Sequence, residues 1–270
     1  MENFVRIIPK QGCEQWPVKL GHMGAMFFEA EYGMVKQGFR AAAVIHMDQH
    51  NMGELLARIN KDKLVFTPLR TSGYYQGFAH RHKEVKLGDP FYWYGCLTKT
   101  WEDGQKFKKA DTEGDHRTIG WLLGYPDCCT RYFTRVFPLN YDPIWVGREG
   151  KLTGYPECNQ MLRYFSARIT SYLSCSPTCA ATRKIGHVWL KVMSGINKCL
   201  TDDLVGLLSA EIIWSSYHGV VQVETPYFVG ITHTFPIAAK PRIIKWGVKM
   251  EKAKPQKGWK FKRAGSKSCS

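Results

Sequence analysis

Residues 41–69, AAAVIHMDQHNMGELLARINKDKLVFTPL, hold the pattern from which the fold class follows. The run 41–47 is apolar and of strand length, and LVFTPL (64–69) is a second such run. Between them Met52, Leu55, Leu56 and Ile59 recur at helical spacing, behind Asp48 as a candidate amino-terminal cap. A strand, a helix and a strand in that order form a unit whose two strands normally lie side by side and parallel.

Beyond this unit, residues 71–100 are rich in glycine and aromatic residues. Alternation over 91–97 predicts a strand, and the glycine-containing stretch before it an exposed loop. From Asp115 to about residue 218 the pattern is helical. Ile119, Leu122 and Leu123 lead to Pro126, where a helix ends or restarts, and further helices are expected over 157–172, 178–200 and 202–217. Residues 220–250 return to strand-like composition, interrupted by Pro226, Pro236 and Pro241. The expected class is α+β, with strand-containing amino- and carboxyl-terminal parts around a helical, cysteine-rich middle. The corresponding division is 1–112 (α/β, with the strand-helix-strand unit), 113–218 (helical, cysteine-rich), 219–245 (strands) and 246–270 (basic tail).

The 270 residues are 44% hydrophobic, enough for a packed core, so a disordered chain is not expected. The net charge of +15 excludes an acidic solvating protein and points to a polyanionic partner. Residues 241–270 hold ten Lys or Arg against the single acid Glu251. There Lys245, Trp246, Trp259, Lys260, Lys262 and Arg263 interleave cations with rings, a combination that neutralises phosphates and stacks bases. Nucleic acid, DNA in particular, is the expected partner. The apolar runs are shorter than a membrane span requires, and the first ten residues, MENFVRIIPK, lack an export signal, so a cytoplasmic protein with no membrane partner is expected.

Nine cysteines on a long chain without an export signal suggest reduced thiols or metal ligands, not a disulfide framework. Cys128, Cys129, Cys158, Cys175 and Cys179 fall close together in sequence. Two of them belong to an internal echo: GYPDC (124–128) recurs as GYPEC (154–158), and each copy is followed by RYF, at 131–133 and 163–165. A turn that starts a helix would place a cysteine near each helix amino terminus, where a thiolate is favoured. Cys128, Cys129, Cys175 and Cys179 form the expected ligand set, with Cys158 as a substitute for one of the adjacent pair. Four thiolates suit either zinc or an iron–sulfur cluster. The runs IGWLLGYPDCCTRYF and CSPTCAATRKIG resemble a paired cysteine signature of uncharacterised archaeal and phage proteins, over about residues 115–187. The resemblance implies that these four cysteines act as a group and, for a phage-type protein, group transfer onto a modified DNA base.

For catalysis, His80 and His82 lie two apart and share one face of an extended chain, and Asp115 precedes His116 just before the first cysteine motif. All four are candidate acid/base groups. Arg70, Arg81 and Lys83 would suit a phosphate, and Tyr74 a base. No P-loop, dinucleotide-binding, zincin, nucleophile-elbow or zinc-deaminase signature is present. The expected function is a nucleic-acid base-modifying enzyme with a cysteine-ligated centre, of transferase type as the resemblance implies. The alternative is a non-catalytic nucleic-acid-binding module with a structural zinc.

Overall fold

A computed structural model describes residues 5–73, 85–88, 91–136, 149–217, 219–233 and 242–248. Strand β1 (Val5–Pro9) leads into α1 (Trp16–Lys36). Trp16, Leu20, Met23, Phe27, Ala30 and Met34 are buried along this helix at steps of three and four, so a single stripe faces the core.

The strand-helix-strand unit is present as β2 (Ala42–Asp48), α2 (Met52–Lys61) and β3 (Val65–Gly73). Its strands are not neighbours, however. β4 (Phe91–Thr98), the strand predicted over 91–97, lies between them and is antiparallel to both. Gly95 contributes to this order, because a Cβ there would stand 2.3 Å from the Phe66 ring that crosses the central strand. Asp48 does not cap α2 directly; it accepts hydrogen bonds from the backbone N–H groups of His50 and Asn51, both at 2.9 Å, and so fixes the turn ahead of the helix. Leu55 and Ile59 of α2 pack on Ile45, Met47 and Leu97.

The middle of the chain is helical in α3 (Trp101–Glu113), α4 (His116–Leu122) and α5 (Asp127–Val136), then passes through β5 (Gly150–Gly154). The helix expected over 157–172 is replaced by two 3-10 turns, Pro156–Cys158 and Arg163–Phe165, within irregular chain. Burial explains the difference. Asn159, Gln160, Met161, Leu162, Phe165 and Ala167 are all buried and only Ser166 is exposed, so this segment has no continuous solvent face, and Asn159 supplies backbone contacts a helix would otherwise make: its amide donates to Leu208 O and its oxygen accepts from Met161 N. The helix expected over 178–200 is α6 (Ala180–Ile196), and it stops at Asn197, whose side chain accepts from Leu200 N and begins α7 (Lys198–Ser209). The helix expected over 202–217 therefore ends early. Ile212, Trp214 and Ser216 are buried in alternation with exposed neighbours, and the stretch forms β6 (Ile212–Tyr217).

β6, β7 (Val220–Glu224) and β8 (Phe228–His233) form an antiparallel meander; β1 adds to β8, while β9 (Arg242–Val248) pairs antiparallel with β6 and parallel with β5. Among the described residues this gives the order β1-β8-β7-β6-β9-β5. The largest core lies between this sheet and α1, α6 and α7, around Trp189, Trp214 and Trp246. The α+β class is as expected, with strands at both ends and helices between. The sheets nevertheless cross the four-part division, because one sheet takes β1 from the first part, β5 and β6 from the second and the remainder from further on. Among the described residues no helix is long and apolar enough to cross a membrane.

Candidate metal centre and adjoining cavity

Three local devices bring the cysteines together. First, Asp115 accepts from Arg117 N and Thr118 N, capping α4, and Gly124 (φ 68°) turns the chain toward Pro126. Pro126 O then accepts from Cys129 N and Thr130 N at 2.9 Å, so Cys128 and Cys129 occupy the first turn of α5. Second, the loop carrying Cys175 is pinned to the sheet where Tyr155 N donates to Pro177 O at 2.9 Å. Third, Cys179 caps α6, its sulfur accepting from Thr182 N.

The result is a compact group of four sulfurs. Cys128, Cys129, Cys175 and Cys179 have Sγ atoms all within 4.8 Å of one another. The Cys128–Cys129, Cys128–Cys179 and Cys129–Cys179 separations are 3.9, 3.8 and 3.8 Å. The adjacent pair converges because the entry turn of α5 aims both side chains past the helix start. These four side chains can hold a metal ion. Cys158 stands outside the group, with its thiol 3.6 Å from Cys179 O, so it is not needed as a substitute ligand. The second GYPxC copy starts only a 3-10 turn, where the first starts α5.

Further hydrogen bonds surround the sulfurs. Cys175 N donates to Cys129 Sγ at 3.4 Å, and the hydroxyl of fully buried Thr182 lies 3.3 Å from the same sulfur. Burial opposes ionisation of Cys179, yet bonds from the Thr182 hydroxyl and N–H and from the Cys175 and Cys128 thiols outweigh it and bring this thiol down to about 7. Burial, with Cys179 alongside, pushes Cys175 up to about 12; burial pushes Cys129 up and Cys158 up to about 12. Ionisation is thus easiest at Cys179, while burial opposes it at Cys129 and Cys175. A divalent cation at the centre would favour the thiolate at all four positions.

Cys129 and Tyr172 also form part of the wall of a cavity of about 380 Å³. Arg70, predicted as a phosphate ligand, and His116, predicted as an acid/base group, both line it. Arg70 pairs with Asp111 and stacks over Tyr94, its Cζ 4.2 Å from the ring centre. His116 meets Phe133 edge-on at 5.4 Å. Arg163, Tyr125 and Tyr172 also line it, the two tyrosines packing against the cysteine cluster. Burial raises Tyr94 to about 12 and pushes Tyr125 and Tyr172 up too, so all three present neutral phenols.

Other predicted residues fare differently. Asp115 is a helix cap, which occupies its carboxylate. His80, His82, Tyr74, Arg81, Lys83, Trp259, Lys260, Lys262 and Arg263 lie outside the described residues. Trp246 cannot stack a base: it is buried in the main core, and its indole N–H donates to Leu208 O at 3.1 Å. Lys245, next to it on β9, is exposed and shares a shallow hollow with Lys10, Glu211 and Glu224, a surface of mixed sign. Sequence reasoning assigned no role to Asp111, Arg163 or Thr182. The only pointer to Arg163 was the second RYF copy.

The cap role of Asp115 carries its own prediction. Bonds from the Thr118 side chain, then from the backbone N–H groups of Thr118 and Arg117, hold its carboxyl below the ordinary range. A carboxyl lowered on folding stabilises the native state above its unfolded pKa, and that contribution fades as pH falls through the folded value. Asp115→Ala should therefore melt below the parent at neutral pH and Asp115→Asn only slightly below it, the Asn difference vanishing as pH falls from about 4 downward. Thermal melts across that range check this, and a pH-independent gap would contradict the charged cap.

Comparison with family models, with curated proteins and with solved structures finds no match to the chain.

Proposed function

We propose that the four cysteines hold one zinc ion in a closed structural site, and that the chain is a nucleic-acid base-modifying enzyme whose chemistry takes place in the adjoining cavity. The observation that carries the zinc reading is the sulfur spacing. A tetrahedral ion with Zn–S bonds of about 2.3 Å requires sulfurs about 3.8 Å apart; the separations among Cys128, Cys129 and Cys179 are 3.8 to 3.9 Å, and Cys175 lies within 4.8 Å of each. An iron–sulfur cluster spreads its thiolates around several iron atoms and needs a wider set. Four protein ligands leave no open position, so the ion acts on folding and not on substrate. Acid/base work then falls to the cavity, where His116 supplies an imidazole to the lining.

Nucleic acid as substrate is supported by the net charge of +15 and by the ten Lys or Arg of residues 241–270. DNA is favoured through the likeness of the cysteine motifs to those of phage proteins. Anaerobic purification followed by metal and sulfide analysis tests the centre: one zinc per chain and no sulfide is expected, and a brown preparation containing labile sulfide would overturn it. Salt titration of DNA binding tests the partner, since counterion release demands a steep loss of affinity as salt rises. Nucleoside analysis of DNA treated with the protein tests the modification. Binding without any altered nucleoside would favour the non-catalytic module.

A further inference from the structure

We propose that the exposed side of α3 and α4, with the adjoining turn at Phe39, is a docking surface for single-stranded DNA. Bases stack on Trp121 and Phe39 there, and phosphates meet Lys99, Lys106 and Arg117. The inference rests on the nucleic-acid reading above and locates the contact, and none of these residues belongs to the basic stretch 241–270.

The rings are the first observation. Trp121 is 63% exposed and Phe39 50% exposed. Packing does not account for Trp121, because α4 meets the core around Phe107 through Leu122 and Leu123, and meets α5 through Gly120, where a Cβ would stand 2.5 Å from Thr130 Oγ1. Lys106 Nζ lies 4.3 Å from the centre of the Trp121 ring. With a cation over one face, the exposure of this side chain belongs to the opposite face and the ring edge, the surface a stacking base uses. Phe39 lies between α1 and β2, and its carbonyl oxygen is 3.9 Å from where a Cβ on Gly124 would stand. Gly124 N in turn donates to Trp121 O at 3.0 Å. The Gly124 turn thus brings together the backbones that carry the two rings.

The cations are the second observation. Arg117 precedes Trp121 by four residues on α4 and shares its side of the helix. Lys99 Nζ is 3.0 Å from where a Cβ on Gly38 would stand, next to Phe39. Each ring therefore has an exposed cation beside it. Among the described residues Lys99, Lys106 and Arg117 enter no ion pair, whereas Lys109 pairs with Glu113, Arg131 with Asp127 and Arg70 with Asp111. Asp115 feels the Arg117 charge, but its carboxylate is held in the α4 cap. An acidic peptide would match these cations and leave the indole unused; a strand with unpaired bases uses both. A duplex hides its base faces, and chemistry on a base requires that base out of the stack.

The test is a fluorescence-anisotropy titration of the full-length protein with a short labelled oligothymidylate and with its duplex on oligodeoxyadenylate. The single strand is expected to bind more tightly than the duplex. Trp121→Ala should weaken single-strand binding about tenfold with the salt dependence unchanged, and Trp121→Phe should recover most of the loss. Lys106→Gln and Arg117→Gln should each weaken binding and lower the slope of log affinity against log salt by about 0.7, the share of one phosphate on a single strand. Lys198→Gln, which removes an exposed charge from α7, should leave that slope as it is. Melting points and metal content of these surface variants should match the parent. Undiminished binding by folded Trp121→Ala overturns the proposal, and so does tighter binding of the duplex than of the single strand. If the parent binds neither, this inference falls together with the nucleic-acid reading. Parent-like binding by the Trp121, Lys106 and Arg117 variants removes this inference alone.

Discussion

Replacing Cys179 by Ser is expected to release the bound metal and to destabilise the fold by at least about 4 kcal/mol, roughly 8–16 °C in melting midpoint for a chain of this size. The substitution is informative because Cys179 has two roles: its sulfur belongs to the four-membered group, and it caps α6 by accepting from Thr182 N. Serine is a good helix cap, so the cap survives and the ligand is lost. A large drop therefore reports the metal. Cys158→Ser is the matched control, since that sulfur is buried nearby but outside the group. It should keep a full complement of metal. Chelation should bring the parent protein down to the melting point of Cys179→Ser and leave the variant where it was. If metal content and melting point are the same in parent and variant, the four sulfurs are merely a packed cluster of thiols.

The cysteine group was legible because its four thiols fall in two short motifs, each with a proline beside it at a turn. Pro126 and Pro177 mark the two places where the chain must turn to bring the sulfurs together. Thr182, which bonds to two of the sulfurs, lacks such a signature, because a helical threonine looks the same whether it faces solvent or a cysteine. The cavity was half legible. Arg70 and His116 were read as functional, but Asp111, Arg163 and Tyr172 come from three further segments that only the folded chain brings together. Among the elements, α1 escaped although its apolar steps from Trp16 to Met34 are regular. The segment 157–172 misled in the opposite sense: its apolar residues fit a helical period, but nearly every side chain is buried, and polar groups such as Asn159 bond to the backbone in place of a helix ladder. Strand order was beyond reach, since nothing local in β2 or β3 announces that β4 will lie between them.

Trp246→Ala and Lys245→Ala, neighbours on β9, should give opposite results. Trp246 is 1% exposed, packs in the main core and donates its indole N–H to Leu208 O, while a Cβ on Gly154 of the adjacent strand would stand 2.4 Å from its ring. Truncation to alanine leaves a cavity that β5 cannot close, and the expected loss is about 3–5 kcal/mol, or roughly 6–20 °C. Trp246→Phe keeps most of the ring and removes one of the two side-chain donors to Leu208 O, the Asn159 amide remaining, which costs about 1 kcal/mol for the bond itself and more for any packing lost. If the chain binds DNA as proposed, neither change should alter the salt dependence of binding by the folded fraction, because the ring is buried. Lys245→Ala should leave stability within about 0.5 kcal/mol and, if this exposed face of β9 meets phosphate, reduce the slope of log affinity against log salt by about 1. Thermal melts and salt titrations on the three variants check both halves. A Trp246 variant that melts like the parent but binds DNA poorly would mean that this ring lies on the surface. An unchanged slope in Lys245→Ala would instead leave phosphate neutralisation to other cations, consistent with Lys245 lying between Glu211 and Glu224 in a hollow of mixed charge.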